Sequence, residues 1–279
     1  LDHSIVGSEV TDELLKTSYE YFNAAAYVRK GKTHKTCDDA VLLVANENFA
    51  LIGVFDGVSG EAFAANASET ALRVIKFFIT QNFGKIDNEK IIERSIEEAN
   101  LKINKGATTA SIALLLANGE YFFGNIGDSH IYTISERGKI ECITKDEKEA
   151  NGSSFTEYIN SRFIVNNALG GLIRNLDIGK GKLKKGEFLL AMSDGVIDNL
   201  FIEIDSGVIV DNSGARDLEN MIKGKHEPVD IIIALSNEIK NRMSGTEIIN
   251  NGKILVPKED DVSVVVLKYQ PLNFTNAPR

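Results

Sequence analysis

The chain has 279 residues, 43% of them hydrophobic, which is enough for a sizeable core and ordinary for one large α/β or β-rich domain. Its formal net charge of −9 argues against a nucleic-acid or anionic-membrane partner, because phosphate surfaces are bound by clustered Lys and Arg. No run of about 18 apolar residues is present to cross a membrane. The two distant cysteines, Cys37 and Cys142, fit neither a disulfide framework nor a thiolate zinc site, and suit a reducing, cytoplasmic setting.

In chain order, the start Leu1-Asp2-His3-Ser4 carries neither an initiator Met nor a signal-peptide core, and reads as a trimmed fragment. Residues 1–23 are expected as a peripheral extension, 24–268 as the core of a single domain spanning 1–279, and 269–279 as a loose tail. With only 4 Pro, no linker divides the chain, and no internal repeat is found. Residues 40–45 and 50–55 read as two strands joined by Asn46-Glu47-Asn48. Two amphipathic helices follow. The first carries Phe63, Ala67, Ala71, Ile75 and Ile79 on one face, the second Ile92, Ile96, Ala99 and Ile103.

A second hairpin, 110–116 and 121–126, turns through Asn118-Gly119. The polar stretch 145–162, with Asn151-Gly152-Ser153-Ser154, reads as a flap or an ordinary surface loop. The basic residues from Lys180 to Lys185 read as a solvated turn between strands. Apolar runs recur at 187–192 and 262–267, and between them a helix over 229–243 places Val229, Ile232, Ile233, Ile239 and Met243 on one face. Because strands come as hairpins and helices as a pair, the order predicts an α+β fold: antiparallel sheets with helices packed outside.

Acids stand at the ends of these runs. In a hairpin the start of one strand lies beside the end of the other, so Asp39 and Asp56 should be neighbours, and Thr108 and Thr109 should share an end with Asp128. Asp194 closes the third run and Asp260 opens the fourth. Singly, each Asp-Gly reads as a turn. Jointly, the recurrence of acids at ends that can converge, with Asp198 close behind Asp194, points elsewhere. Clustered carboxylates repel unless cations neutralise them, and oxygen ligands without His or Cys select Mg²⁺ or Mn²⁺.

The ordered motifs Asp38-Asp39-Ala40, Phe55-Asp56-Gly57, Gly106-Ala107-Thr108-Thr109-Ala110, Gly127-Asp128-Ser129-His130, Ala168-Leu169-Gly170, Ser193-Asp194-Gly195 and Asp260-Asp261-Val262-Ser263 resemble the metal-dependent type-2C protein serine/threonine phosphatases over residues 30–268. The resemblance implies a four-layer α-β-β-α sandwich with a binuclear metal site between its two antiparallel sheets. In that pattern Asp56 bridges two ions, the Gly57 carbonyl ligates one, and Asp194 and Asp260 ligate the other. Asp39 holds bound water, and Asp128 and Asp198 help form a third, weaker site seen in some members. It implies in-line hydrolysis of phosphomonoesters by a hydroxide bridging ions about 3.5–4 Å apart, with Asp39, Asp56, Asp194 and Asp260 as the catalytic acids. The substrate would be a phosphorylated protein, the target of a serine/threonine kinase, and the enzyme a monomer. Cys37, Cys142, Ser59 and Ser129 are read as structural rather than nucleophilic.

Three departures bear on this reading. Five residues before Asp39, where the family commonly has a phosphate-binding Arg, stands His34, expected to be neutral; with Lys35 it is the candidate substrate contact, and Arg29 or Lys32 could substitute. Val58 replaces a His found in eukaryotic members, and Asn167 an Arg before Ala168-Leu169-Gly170. These keep alive a catalytically weak or inactive relative acting as a regulatory binding module. A hydrolase of small phosphorylated metabolites would use the same site.

Overall fold

The computed structural model describes residues 2–9, 11–145, 152–162 and 164–271, so residues 146–151 of the expected flap and all but the start of the expected tail lie outside the described residues. The first sheet is antiparallel, in the order β1 (Asp2–Val6), β4 (Ala40–Ala45), β5 (Phe49–Phe55), β6 (Ala110–Leu116), β7 (Glu120–Ile126) and β10 (Asp177–Lys182). The second runs β2 (Asp12–Tyr19), β3 (Phe22–Arg29), β16 (Val262–Tyr269), β11 (Phe188–Met192), β8 (His130–Ile134) and β9 (Ile140–Cys142). A small third sheet, β13 (Val208–Asp211), β12 (Ile202–Asp205), β15 (Lys253–Leu255) and β14 (Ile248–Asn250), sits apart from both.

The strands 40–45 and 49–55 are apolar throughout because both faces are buried. Val41, Leu43 and Ala45 point inward and meet Val28, Ala191, Val265 and Leu267 of the second sheet. Ala40, Leu42 and Val44 point outward against α1 (Ala64–Asn82) and α2 (Asn88–Lys102), through Ala67, Ala71, Ile75, Ile92 and Ile96. On the far side α5 (Ala215–Ile222) and α6 (Pro228–Met243) cover Tyr132, Leu190, Val264 and Val266. The result is the expected four layers, helices, sheet, sheet, helices. Two short helices, α3 (Phe155–Ser161) and α4 (Asp194–Ile197), lie near the end of the sandwich where the acids gather.

Several expectations are revised. Phe63 is not on the buried face of α1; it precedes the helix at φ 74° and is 56% exposed, the turn having rotated it out. On α6 the buried stripe is Ile231, Ile232, Leu235, Ile239 and Met243, while Ile233 is exposed; at about 100° per residue Ile233 lies on the opposite flank. Within the stretch read as a flap, α3 starts with a capping box in which the Ser154 hydroxyl accepts from the Glu157 amide and the Glu157 carboxylate accepts from the Ser154 amide. Lys180 and Lys182 belong to the edge strand β10 rather than to a turn. The first residues supply edge strands to both sheets, β1 pairing with β4 and β2 with β3. Their alternation is hidden because β2 is largely exposed.

The Asp-Gly pairs are not turns. Neither Gly57 nor Gly195 has a positive φ. A Cβ on Gly195 would lie 1.8 Å from the Asp261 carbonyl oxygen, and one on Gly57 would lie 2.6 Å from that of Asp38. Both glycines let one acidic segment press its backbone against the next. Gly195→Ala should therefore destabilise the fold by about 1–3 kcal/mol, the range for overpacking. Gly171→Ala, where a Cβ meets nothing within 4 Å, should change it by less than about 0.5 kcal/mol. Urea unfolding of the two variants measures the difference.

Candidate metal centre

Register brings the acids together. Ala40 pairs with Phe55, so Asp39 and Asp56 flank the same end of the first sheet. Met192 pairs with Val264 in the second sheet, so the segments holding Asp194 and Asp260 leave that sheet side by side. Their junction is tied by reciprocal bonds: the Ser193 amide donates to the Ser263 carbonyl at 3.0 Å, and the Ser263 amide donates to the Ser193 hydroxyl at 3.0 Å. Asp128 lies in the short connection by which the chain passes from β7 in one sheet to β8 in the other.

Asp56 and the segment that leads to Asp39 are held through the backbone as well. The Thr109 amide donates to the Asp56 carbonyl at 2.8 Å and the Asp56 amide donates to the Thr109 hydroxyl at 3.1 Å. The Thr108 hydroxyl donates to the same Asp56 carbonyl at 2.9 Å. At the end that Thr109 is expected to share with Asp128, the Thr109 hydroxyl lies 2.9 Å from that of Ser129, the residue after Asp128. Asp261 ties down the segment before Asp39. It accepts from the amides of Gly31 (2.7 Å) and Asp38 (2.6 Å), and lies 3.0 Å from His34 Nδ1.

The electrostatics follow from this crowding. Asp39 is fully buried, and its Oδ2 makes no hydrogen bond among the described residues. Burial first, and then the Asp261 carboxylate, hold it well above the usual carboxylate range; Asp260 and Asp194 add to this, and the nearby Ser263 hydroxyl opposes it. Asp56 is raised well above that range by burial and by Asp39, Asp194, Asp260 and Asp128 in turn. Asp260 is pushed up to about 6 by burial and by Asp194, with Lys258 pulling the other way.

Lys258 is the residue that sequence reasoning missed. Its Nζ contacts Asp194 Oδ2 and lies 3.0 Å from both Asp198 Oδ2 and Asp260 Oδ2. Burial disfavours its charge, but the three carboxylates outweigh burial and raise its pKa, so it stays an ammonium. The available signal was a single cation inside Pro257-Lys258-Glu259-Asp260, two residues from an expected ligand.

Five of the expected acids line two clefts, while Asp39 is buried behind them and Gly57, His34 and Lys35 line neither. One, of about 250 Å³, is lined by Asp56, Val58, Asp194 and Asp260 together with Arg162 and Lys258. The other, of about 180 Å³, holds Asp128 and Asp198 with His130, Cys142 and Tyr158, and shares Asp194 with the first. The carboxylate-only donor set and the crowding that raises Asp39 and Asp56 suit a hard divalent cation on the Asp39–Asp56 side. On the Asp194–Asp260 side an ammonium already meets the carboxylates.

The substrate contacts fall differently from expectation. Lys35 is exposed and Lys32 is on the surface, while the Arg29 guanidinium reaches Met243 Sδ and Glu259. His34 is not neutral: contact with Asp261 raises its pKa to about 9 against the effect of burial, with Asp260 and Asp38 adding to it. Its ring faces Asp261 and, at 3.8 Å, Asp260. Arg162, from the segment after α3, is the arginine on the cleft wall; its Nη1 and Nη2 donate to the Val256 and Pro257 carbonyls. Asn167 bonds the backbone at Arg174 and Asn175 and closes its own loop. Cys37 is a buried free thiol.

The family model for protein phosphatase 2C matches residues 29–215. Protein phosphatase 2C homolog 7, mitochondrial, of Saccharomyces cerevisiae is 25% identical over 222 residues, covering 74% of this chain and 60% of its own length. A probable protein phosphatase 2C 80 of Arabidopsis thaliana is 26% identical over 199 residues, covering 69% of this chain and 45% of its own length. The chain thus spans 60% and 45% of these two relatives. Among solved structures, the catalytic domain of the serine/threonine protein phosphatase PstP in complex with two manganese ions superposes with a TM-score of 0.63. It is 18% identical, with 92% of this chain and 100% of that one covered.

His34 gives a pH test. Its folded pKa of about 9 exceeds the unfolded value of 6.5, so its contribution is full below about 6.5 and is lost as pH rises through 9. In chelator, His34→Gln should lower the melting temperature at pH 6, by about 2–4 °C per kcal/mol lost, and leave it unchanged at pH 10. Thermal scans at the two pH values check this.

Proposed function

Because the chain belongs to the protein phosphatase 2C family, we propose that it is a metal-dependent protein serine/threonine phosphatase acting on phosphomonoesters where Asp39, Asp56, Asp194 and Asp260 converge. The observation that carries this reading is the cleft in which Asp56, Asp194 and Asp260 stand beside two cations, Arg162 and Lys258. Carboxylates without His or Cys fit Mg²⁺ or Mn²⁺. The residues that would hold two such ions are Asp39, Asp56, the Gly57 carbonyl, Asp194 and Asp260, with Asp128 and Asp198 for a third. When bound, the ions lower the pKa of water and polarise the phosphoryl oxygens.

The chain's own residues prepare the rest. Asp56 is fixed by Thr108 and Thr109, so its carboxylate need not reorganise when a ligand arrives. Arg162 places permanent positive charge on the wall where a phosphate dianion enters. Val58 brings no titratable group to the cleft, so the leaving oxygen takes its proton from solvent rather than from a side chain at that position. The natural substrate is a phosphorylated protein made by a serine/threonine kinase. We place the enzyme in the cytoplasm, acting as a monomer, with Cys37 and Cys142 reduced.

An inactive binding module is favoured by one observation, the ammonium of Lys258 among the acids. Turnover separates the two readings. A phosphothreonine peptide should be hydrolysed with Mn²⁺ or Mg²⁺ and stop with chelator, and Asp56→Asn should lower the rate by about a hundredfold or more. Metal-independent turnover, or none, would sink the phosphatase reading. Arg162→Ala should raise KM more than it lowers kcat; a kcat loss with KM unchanged would remove Arg162 from phosphate binding.

A further inference from the structure

Lys258 is too well fixed to be a surface lysine that has drifted inward. Its amide donates to Asn199 Oδ1 at 3.0 Å and its carbonyl accepts from Asn199 Nδ2 at 2.9 Å. The two residues before it are held by Arg162 through the carbonyls of Val256 and Pro257. Its side chain is 4% exposed, and the ammonium meets an oxygen from each of Asp194, Asp198 and Asp260. Three acids from α4, its C-terminal end and the lead into β16 are thereby neutralised by a charge carried on the chain itself. Asp39 and Asp56, on the other sheet, make no ion pair with it. Among the described residues no three His, Cys, Asp or Glu stand arranged to hold an ion as they are.

We propose that Lys258 is a built-in counter-cation that fills the Asp194–Asp198–Asp260 half of the centre, so that the protein binds one divalent ion tightly at Asp39–Asp56 and admits another only by displacing the ammonium. The inference rests on the metal centre of the proposed phosphatase and adds a regulation to it: the second ion is controlled by a side chain. A dication on those same oxygens would lie within a few ångströms of Nζ, and like charges at that range repel strongly in a site that excludes water. The ammonium can leave, because Lys is a flexible chain with a point charge, where Arg would be locked by its planar fork.

The test is ion counting by Mn²⁺ electron paramagnetic resonance, which reads free Mn²⁺ and needs no turnover. Wild-type protein should take up one ion tightly and a second only at much higher concentration. Lys258→Met should take up two, its second ion bound at least about tenfold more tightly than in wild type, the scale on which neighbouring groups tune metal affinity. Lys258→Arg should stay at one. If Lys258→Met does not fold without metal, the wild-type count together with Lys258→Gln decides. Two ions bound with equal affinity by wild type and the neutral variants would overturn the role of Lys258 and leave the phosphatase reading standing. No uptake by any of them would overturn both.

Discussion

Carboxylates from two different sheets crowd the end of one sandwich, and their repulsion in a space that excludes most water is the constraint around which the rest is organised. Asp39 and Asp56 come from the first sheet, Asp194 and Asp260 from the second, and all are raised or neutralised rather than left as free anions. A buried carboxylate without a partner costs several kcal/mol, so such a cluster persists only where cations answer it. Arg162 stands on the cleft wall, while among the described residues the ion pairs to this cluster come from Lys258 and a protonated His34. Neither pairs with Asp56. On the proposed reading, that imbalance makes the Asp39–Asp56 side the seat for a divalent ion.

The fold serves this cluster by bringing backbone against backbone. Gly195 meets the Asp261 carbonyl and Gly57 meets that of Asp38, contacts that any side chain would block. Asp261 is itself not a cleft residue: by gathering the amides of Gly31 and Asp38 it fixes the segment that delivers Asp39. The apolar strands behind these segments supply the rigidity. With Val41 and Leu43 packed on one face and Ala40 and Leu42 on the other, β4 cannot slip by one residue without exposing both faces to the wrong layer. The position of Asp39 is thus set by core packing.

Much of this was legible from residue order, for a physical reason. Hairpin geometry alone makes the residue before one strand a neighbour of the residue after the next, so Asp39 beside Asp56 needed only the two apolar runs and the polar turn. The faces of α1 and α2 followed from a period of 3.6. What stayed hidden depends on contacts between distant segments. On α6 the face set by Ile231, Leu235, Ile239 and Met243 leaves Ile233 on the other flank, which a stripe drawn through Val229 and Ile233 misplaces, and amphipathic alternation is faint in the exposed edge strand β2. The charge of His34 depends on Asp261, more than two hundred residues away in sequence. Lys258 carries no motif at all; its role lies in the position of its Nζ among three carboxylates.

On the proposed reading the acids form a hard-cation centre anchored on Asp39 and Asp56. Diffraction from crystals soaked in Mn²⁺, recorded at the manganese edge, tests it most directly. A strong anomalous peak is expected within coordination distance of Asp39 and Asp56, with the Lys258 ammonium still on Asp194 and Asp260 at low Mn²⁺. An anomalous map with no peak at Asp56, or with its strongest peak away from these acids, would contradict it.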